Sequence, residues 1–261
     1  MDSFMHCDYT SFTDAEGNFD TAYIPMGGNP QKSIGKIFSL ASEENGASYA
    51  SYNTGLRMRD VNTGIKFTCP AAALVSNLFM DKYSKFFPYT IIAGSKRATI
   101  RENGLIGPDF NFSRYDLNNL EPFGVNCMVM VPGIGTYINS NQTAKQNPVT
   151  TLSKINVREL CIFLQDEIEK LLEYYHWDFN TPNLQSTIKD RADVICSQAQ
   201  SNGGVYKYLN VCDRSNNTDD IIDNEFFILS TSIEPGMGAG KMVQELTLYR
   251  RGGMSSKIIT Y

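Results

Sequence analysis

Histidine is scarce in this chain: His6 and His176 are the two present among 261 residues. Neither has a second metal-ligating residue type at a useful spacing, which thins the case for metal or acid–base chemistry. The six cysteines, Cys7, Cys69, Cys127, Cys161, Cys196 and Cys212, are dispersed. No two stand at the short spacing of a zinc knuckle, so they read as small buried hydrophobes. Long apolar runs are missing too, and no stretch approaches the roughly 20 residues of a membrane span. The opening MDSFMHCDYTSF lacks a basic segment leading into an apolar one, so cytosolic folding is expected rather than secretion. Positive charge is in deficit, 23 Lys and Arg against 28 Asp and Glu. That balance argues against a general nucleic-acid coat, which needs a positive face. Internal repeats and low-complexity tracts are absent.

What is present is the material of a sizeable globular core, 42% hydrophobic and 20% charged. In the first half, short apolar runs (SFMHCDY, FDTAYIPMGG, YTIIAG, GVNCMVMVPGIG) alternate with Gly, Pro, Asn and Asp clusters and read as strands. Val125 to Val131 is apolar almost without alternation and reads as a central strand covered on both faces. PQKSIGKIFSLASEENG and PAAALVSNLFMDKYSKF have helical spacing. The class is mixed α/β (α+β), a central sheet flanked by helices.

The clearest element begins at Asn156, where Val157, Leu160, Cys161, Leu164, Ile168, Leu171, Leu172 and Tyr175 recur at helical spacing. Asn156 is expected to cap it, with Glu159 reaching back and Ile155 stapled onto Leu160. A second helix is expected to start at Thr181 and Pro182, to turn Leu184, Ile188, Ala192, Ile195 and Ala199 inward, and to stop at Gly203 and Gly204. Beyond them VYKYLNVC, an acidic loop DRSNNTDDIIDNE and FFILSTSI suggest a hairpin with a long connection.

The run IEPGMGAGKMVQELTLYR invites a phosphate-loop reading and fails it. Pro235 stands where the first glycine belongs, Met242 replaces the hydroxyl residue, and KMVQELTLYR alternates like a strand instead of opening a helix. Gly236, Gly238 and Gly240 read instead as a flexible hinge delivering a strand. In the acidic loop Asp213, Ser215 and Asn217 alternate as calcium ligands would, yet Thr218 stands where the sharp-turn glycine is needed and Asn224 where the closing glutamate is. A solvated loop is the better reading. The NFS, NQT and NNT triplets are of a kind frequent by chance. No serine lies in a nucleophile-elbow pattern, and no catalytic constellation emerges.

In order, GVNCMVMVPGIGTYI, INVRELCIFLQDEIEKLLEYYHWDFN, YLNVCDRSNNTDDIIDNEFFILSTSIEP and a terminal strand resemble the carboxy-terminal part of contractile-tail sheath proteins of tailed phages. The matching motifs are LNNLEPFGVN for the family's strand, INVREL for its NVRR-like helix start and CDRSNNTDDIIDNEFFI for its CD…TN…DID loop. The likeness covers Leu117 to Arg250, with a weaker match upstream. Two positions depart: SNQT replaces the family's G-A-R-T element, and Glu159 takes the place of the second arginine.

The resemblance implies a structural, non-enzymatic subunit that stacks in hexameric rings around a tail tube and contracts to drive the tube through the host envelope. It implies a virion tail component assembled in host cytoplasm, with no cofactor, metal, direct nucleic-acid contact or membrane insertion. Partners would be further copies of itself, the tube protein, and baseplate and tail terminator proteins. Residues 1–113 would complete an upstream α/β domain, 114–240 an inner carboxy-terminal domain, and 241–261 a terminal arm. Within the arm Lys241, Met242, Val243, Gln244, Glu245, Leu246, Thr247, Leu248, Tyr249 and Arg250 would form a strand exchanged with a neighbouring subunit. Lys189, Asp190, Arg191 and Asp193 are candidate tube-facing charges. Sheath proteins are usually longer, so a divided sheath, a shortened homologue and a fragment remain open. Other readings are a different virion component, such as a baseplate or capsid part, and an unidentified α/β enzyme.

Overall fold

The computed structural model describes residues 5–8, 48, 50–69, 71–109, 111–146 and 148–240. The expected elements FDTAYIPMGG and PQKSIGKIFSLASEENG and the arm strand Lys241 to Arg250 lie outside the described residues. Helices and strands are mixed as expected, with the described strands divided among four small sheets.

In the first sheet β1 (Met5–Asp8), β2 (Ala50–Asn53) and β7 (Val125–Asn126) run parallel, Met5 opposite Ala50 and Tyr52 opposite Val125. An antiparallel sheet centres on β3 (Leu56–Arg59), between β4 (Lys66–Cys69) and β6 (Leu105–Pro108). A third joins β5 (Thr99–Ile100), β9 (Gly135–Ile138) and β8 (Met128–Val131), also antiparallel. Helix α1 (Ala71–Lys85) buries Ala71, Val75, Phe79 and Lys82, one stripe at helical spacing. Leu56, Val75, Phe79, Ile92, Ile100, Met128, Ile138 and Ile155 share one core.

Two strand expectations are corrected here. The run from Val125 to Val131 is two short strands in different sheets, separated at Cys127. Val125, Cys127 and Met128 are fully buried, but Met130 is 50% exposed on β8, which among the described residues is an edge strand of its antiparallel sheet. YTIIAG is turn and irregular chain rather than a strand. Its apolar residues pack without ladder bonds, Ile92 into the first core and Tyr89 into a second.

The second core lies between α3 (Ile155–Tyr174), α4 (Pro182–Ser201) and a hairpin of β10 (Val205–Val211) and β11 (Ser230–Pro235). A short α2 (Arg114–Leu120), started by a Ser113–Asp116 capping box, precedes them. Tyr89, Leu160, Leu164, Cys196, Ala199 and Val205 form its buried centre. Helix α4 begins as expected: Thr181 accepts from the Leu184 amide and Pro182 occupies the first turn. It stops where Gly203 takes a φ of +77°. Its fully buried stripe is Gln185, Ile188, Ala192, Cys196 and Ala199, with Leu184 and Ile195 half-buried beside it. The hairpin is present, but its return strand starts at Ser230, later than FFILSTSI suggested. The acidic connection contains a single-turn helix α5 (Asp219–Asp223). Cys127, Cys196 and Cys212 are buried as expected, whereas Cys69 and Cys161 are half-buried.

Candidate functional site

The first turns of α3 are where the two cores meet. Asn156 does not cap the helix: the N-cap is Lys154, whose side chain makes no cap bond. Asn156 lies inside the helix, accepting from Asn141 Nδ2 at 2.7 Å and donating to the Gly236 carbonyl at 3.4 Å. Ile155 packs into the first core instead of stapling onto Leu160, which belongs to the second. Glu159 does not reach back either. Its carboxylate accepts from Lys82 Nζ of α1 and, at 2.6 Å, from the Tyr83 hydroxyl. Lys82 and Glu159 are almost wholly buried, so this ion pair bolts α1 to α3. Burial pushes the Glu159 carboxyl up and the Lys82 ammonium down, and each partner opposes the other's shift. Tertiary partners have thus outcompeted the local cap, since a buried polar group needs a full set of bonds.

A second polar assembly supports this junction. Asn126 Oδ1 accepts from the Ser140 hydroxyl at 3.1 Å and from the Gln142 amide at 2.8 Å, and Asn126 Nδ2 returns a bond to the Gln142 carbonyl. Thr143 donates twice to the turn before α3, its hydroxyl to the Leu152 carbonyl and its amide to the Ser153 carbonyl. The SNQT segment therefore ties β7 to the start of α3 through buried side chains. The acidic connection is similarly built. Asn217, with no exposed surface, donates to the Ile228 carbonyl and accepts from the Ile228 amide, both at 2.8 Å. Asp213 is held below the ordinary carboxylate value by the Ser215 hydroxyl and amide. Asn217 is thus committed to the protein backbone rather than available as a cation ligand.

Along its later turns α3 leaves an open groove of about 1000 Å³ facing β11. Cys161, Leu164, Ile168 and Leu172 line it from the helix, Leu229, Thr231 and Ile233 from the strand side. β10 takes one edge of β11, and among the described residues no strand takes the other. A strand edge beside an apolar groove can accept an extended peptide through main-chain bonds while alternate side chains fill the groove. Arg158, Glu169, Glu173 and His176 also line it. Among the described residues no three His, Cys, Asp or Glu side chains converge on a metal position, and no helix is long and apolar enough to cross a membrane.

The singled-out charges separate. Asp193 accepts from Asn210 of β10 at 2.9 Å and is half-buried. Lys189 is half-buried, Asp190 is exposed, and exposed Arg191 stacks over the Tyr175 ring at 5.6 Å. The hinge glycines are not alike. The Gly236 amide donates to Gly204, and a Cβ there would come within 2.2 Å of the Gly203 carbonyl oxygen. A Cβ at Gly238 would meet Ile91 Cδ1 at 2.4 Å, whereas at Gly240 no atom of the described residues lies within 4 Å. Close packing, rather than freedom alone, requires the first two.

No family model matches the chain. It is 29% identical over 168 residues to the tail sheath protein of Vibrio phage KVP40, a match covering 64% of this chain and 24% of that protein. To the tail sheath protein of Enterobacteria phage T4 it is 24% identical over 225 residues, 86% of this chain and 30% of the relative. The chain is a homologue of phage tail sheath proteins. The fold agrees. The contracted helical sheath of the anti-feeding prophage aligns with a TM-score of 0.69 at 14% identity, over 94% of this chain and 61% of that one. The homologue spans about a quarter to a third of the length of the curated relatives it matches. Sequence reasoning missed the Lys82–Glu159 pair, whose one trace was an acidic residue at the second arginine of the NVRR-like start.

Proposed function

We propose that the chain is a non-enzymatic structural part of a contractile tail sheath. It polymerises with copies of itself in stacked hexameric rings around a tail tube, docks on baseplate and terminator proteins, and contracts to drive the tube through the host envelope. Its place is the virion tail, following assembly in host cytoplasm. Residues 114–240 act as the inner domain on the tube side, where Lys189, Asp190 and Arg191 offer charge, while Asp193 is committed to β10. The observation that carries the reading, beside the homology, is an edge of β11 that no strand takes among the described residues, next to an apolar groove. Residues Lys241 to Arg250 of a neighbouring subunit supply the strand for that edge, and the chain pivots beyond Gly238, where the packing against Ile91 ends.

Removal of Lys241 to Tyr261 tests this. If the arm serves a neighbour, the shortened chain keeps its circular dichroism and loses its polymer in sedimentation. Loss of folded signal would instead mean that the arm completes its own subunit's sheet.

A further inference from the structure

The turn joining α3 to α4 carries the chain's one tryptophan on its surface. Tyr174, Trp177 and Phe179 are 77%, 85% and 90% exposed, and neighbouring Phe226 is 65% exposed. This turn is firmly built. Successive amide bonds, His176 to Glu173, Asp178 to Tyr175 and Thr181 to Phe179, close it. Asn180 donates to the Phe226 carbonyl at 3.0 Å and is itself held by buried Gln185 at 2.8 Å. Trp177 sits at a φ of +72°, a conformation that costs energy in a bulky residue and that clusters at functional positions. A fixed turn that points large rings at solvent has the composition of an interface anchor.

The charge around the turn narrows the partner. Residues 213–234 hold six Asp or Glu against one Arg, and Asp220, Asp223 and Glu225 are exposed next to Phe226. The opposite balance occurs on this same chain, where residues 57–101 carry eight Lys or Arg against two Asp. There α1 and β5 enclose a cavity of about 370 Å³ with Leu74 and Leu78 in its wall and Lys85, Lys96, Arg97 and Arg101 around it. Asp81, paired with Lys85 at 2.5 Å, and Glu102 also line it, and the balance stays positive. Aromatic rings gain both from apolar burial and from guanidinium or ammonium groups over their faces.

We propose that the Tyr174–Phe179 turn, with the acidic α5 segment, docks into the Lys85–Lys96–Arg97–Arg101 cavity of a second copy of this chain. The two surfaces share no residue, so each copy can offer its turn to one neighbour and its cavity to another, the head-to-tail kind of contact that builds rings or helical stacks. It rests on the sheath reading but is separate from strand donation at β11.

Trp177 is its own reporter. On concentrating the full chain, sedimentation shows association and the tryptophan emission moves to the blue. Reversal of the cavity (Lys96→Glu with Arg97→Glu) or of the turn (Asp220→Lys with Asp223→Lys) weakens association by roughly tenfold or more, and mixing the two variants restores it. Association with Trp177 still exposed overturns this contact while leaving the sheath reading intact, and frees the turn for a different protein. Association unaffected by either reversal, or reversals that mixing does not rescue, also overturns it. A chain that stays monomeric at every concentration overturns both.

Discussion

The two ends of α3 look alike in sequence and are built for opposite ends. Both carry an apolar stripe interleaved with charge, yet Ile155 to Leu160 is buried on every side while Tyr174 and the turn after it stand in solvent. At the first end, charged and amide side chains are spent on intramolecular bonds to α1, to Asn141 and to Gly236. At the second, aromatic rings have been left without cover. A charge that is buried serves the subunit's own integrity, and an apolar ring that is exposed serves something outside it.

The largest effect that would sharpen this contrast is at the bolted end. Lys82→Met should cost about 3–5 kcal/mol by leaving Glu159 buried and unpaired, and adding Glu159→Leu should recover most of the loss. Denaturant titration of the single and double variants checks this. The loss has a pH signature. Without Lys82 the folded-state pKa of Glu159, already raised by burial, rises further above its unfolded value. The folded state then binds the extra proton, so the stability deficit is larger at pH 8 than at pH 5. A deficit that grew on acidification would contradict the burial of this carboxylate.

Next in size comes a gradient along the helix. Leu164→Ala should destabilise by about 2–5 kcal/mol, as truncation of a buried leucine does. Ile168→Ala, one turn later on the same stripe but half-buried in the open groove, should cost less, about 1–2 kcal/mol. Equal thermal midpoints for the two would mean that the groove is closed in solution. Asn217→Ala should fall between them at about 1–3 kcal/mol, because the Ile228 amide and carbonyl both lose their partner.

How much of this was legible follows from which forces act locally. Helices α1, α3 and α4 could be read because apolar spacing, Thr181 with Pro182, and the Gly203 stop are encoded within a few residues of where they act. The end of α3 near Asn156 could not. Its cap pattern is locally sound, but Asn156 and Glu159 find partners 15 and 77 residues away, and no local pattern reports a bond of that separation. The Val125–Val131 run failed for a related reason: continuous apolarity signals burial without saying how many sheets provide it. The groove at β11 was legible only as a hairpin followed by glycines. Which strand edge stays open depends on what else reaches it, and that is a property of the whole fold. Met128, Ile138 and Ile155 pack with upstream residues in the first core, a contact across residue 113 that no local pattern announces.

The smallest expected effect on stability is at the exposed end, and it discriminates most sharply. Phe179 is 90% exposed and its ring supports nothing that is buried. Phe179→Ser should therefore move the unfolding free energy by no more than about 0.5 kcal/mol, as surface changes away from caps and ion pairs do. The Thr181 cap and the Asn180 bonds to Gln185 and Phe226 remain, because they use backbone and side-chain groups that this substitution leaves in place. Self-association, in contrast, should weaken measurably, since an aromatic anchor in an interface carries energy that the monomer never draws on. Paired with Leu164→Ala the outcome is a crossed pattern: one apolar truncation lowers the thermal midpoint without a change in the contact itself, and the other lowers association without a change in the midpoint. A Phe179→Ser chain that melts as early as Leu164→Ala would place the turn in a core after all. One that melts and assembles like the parent would show that its exposed rings do not mark an interface.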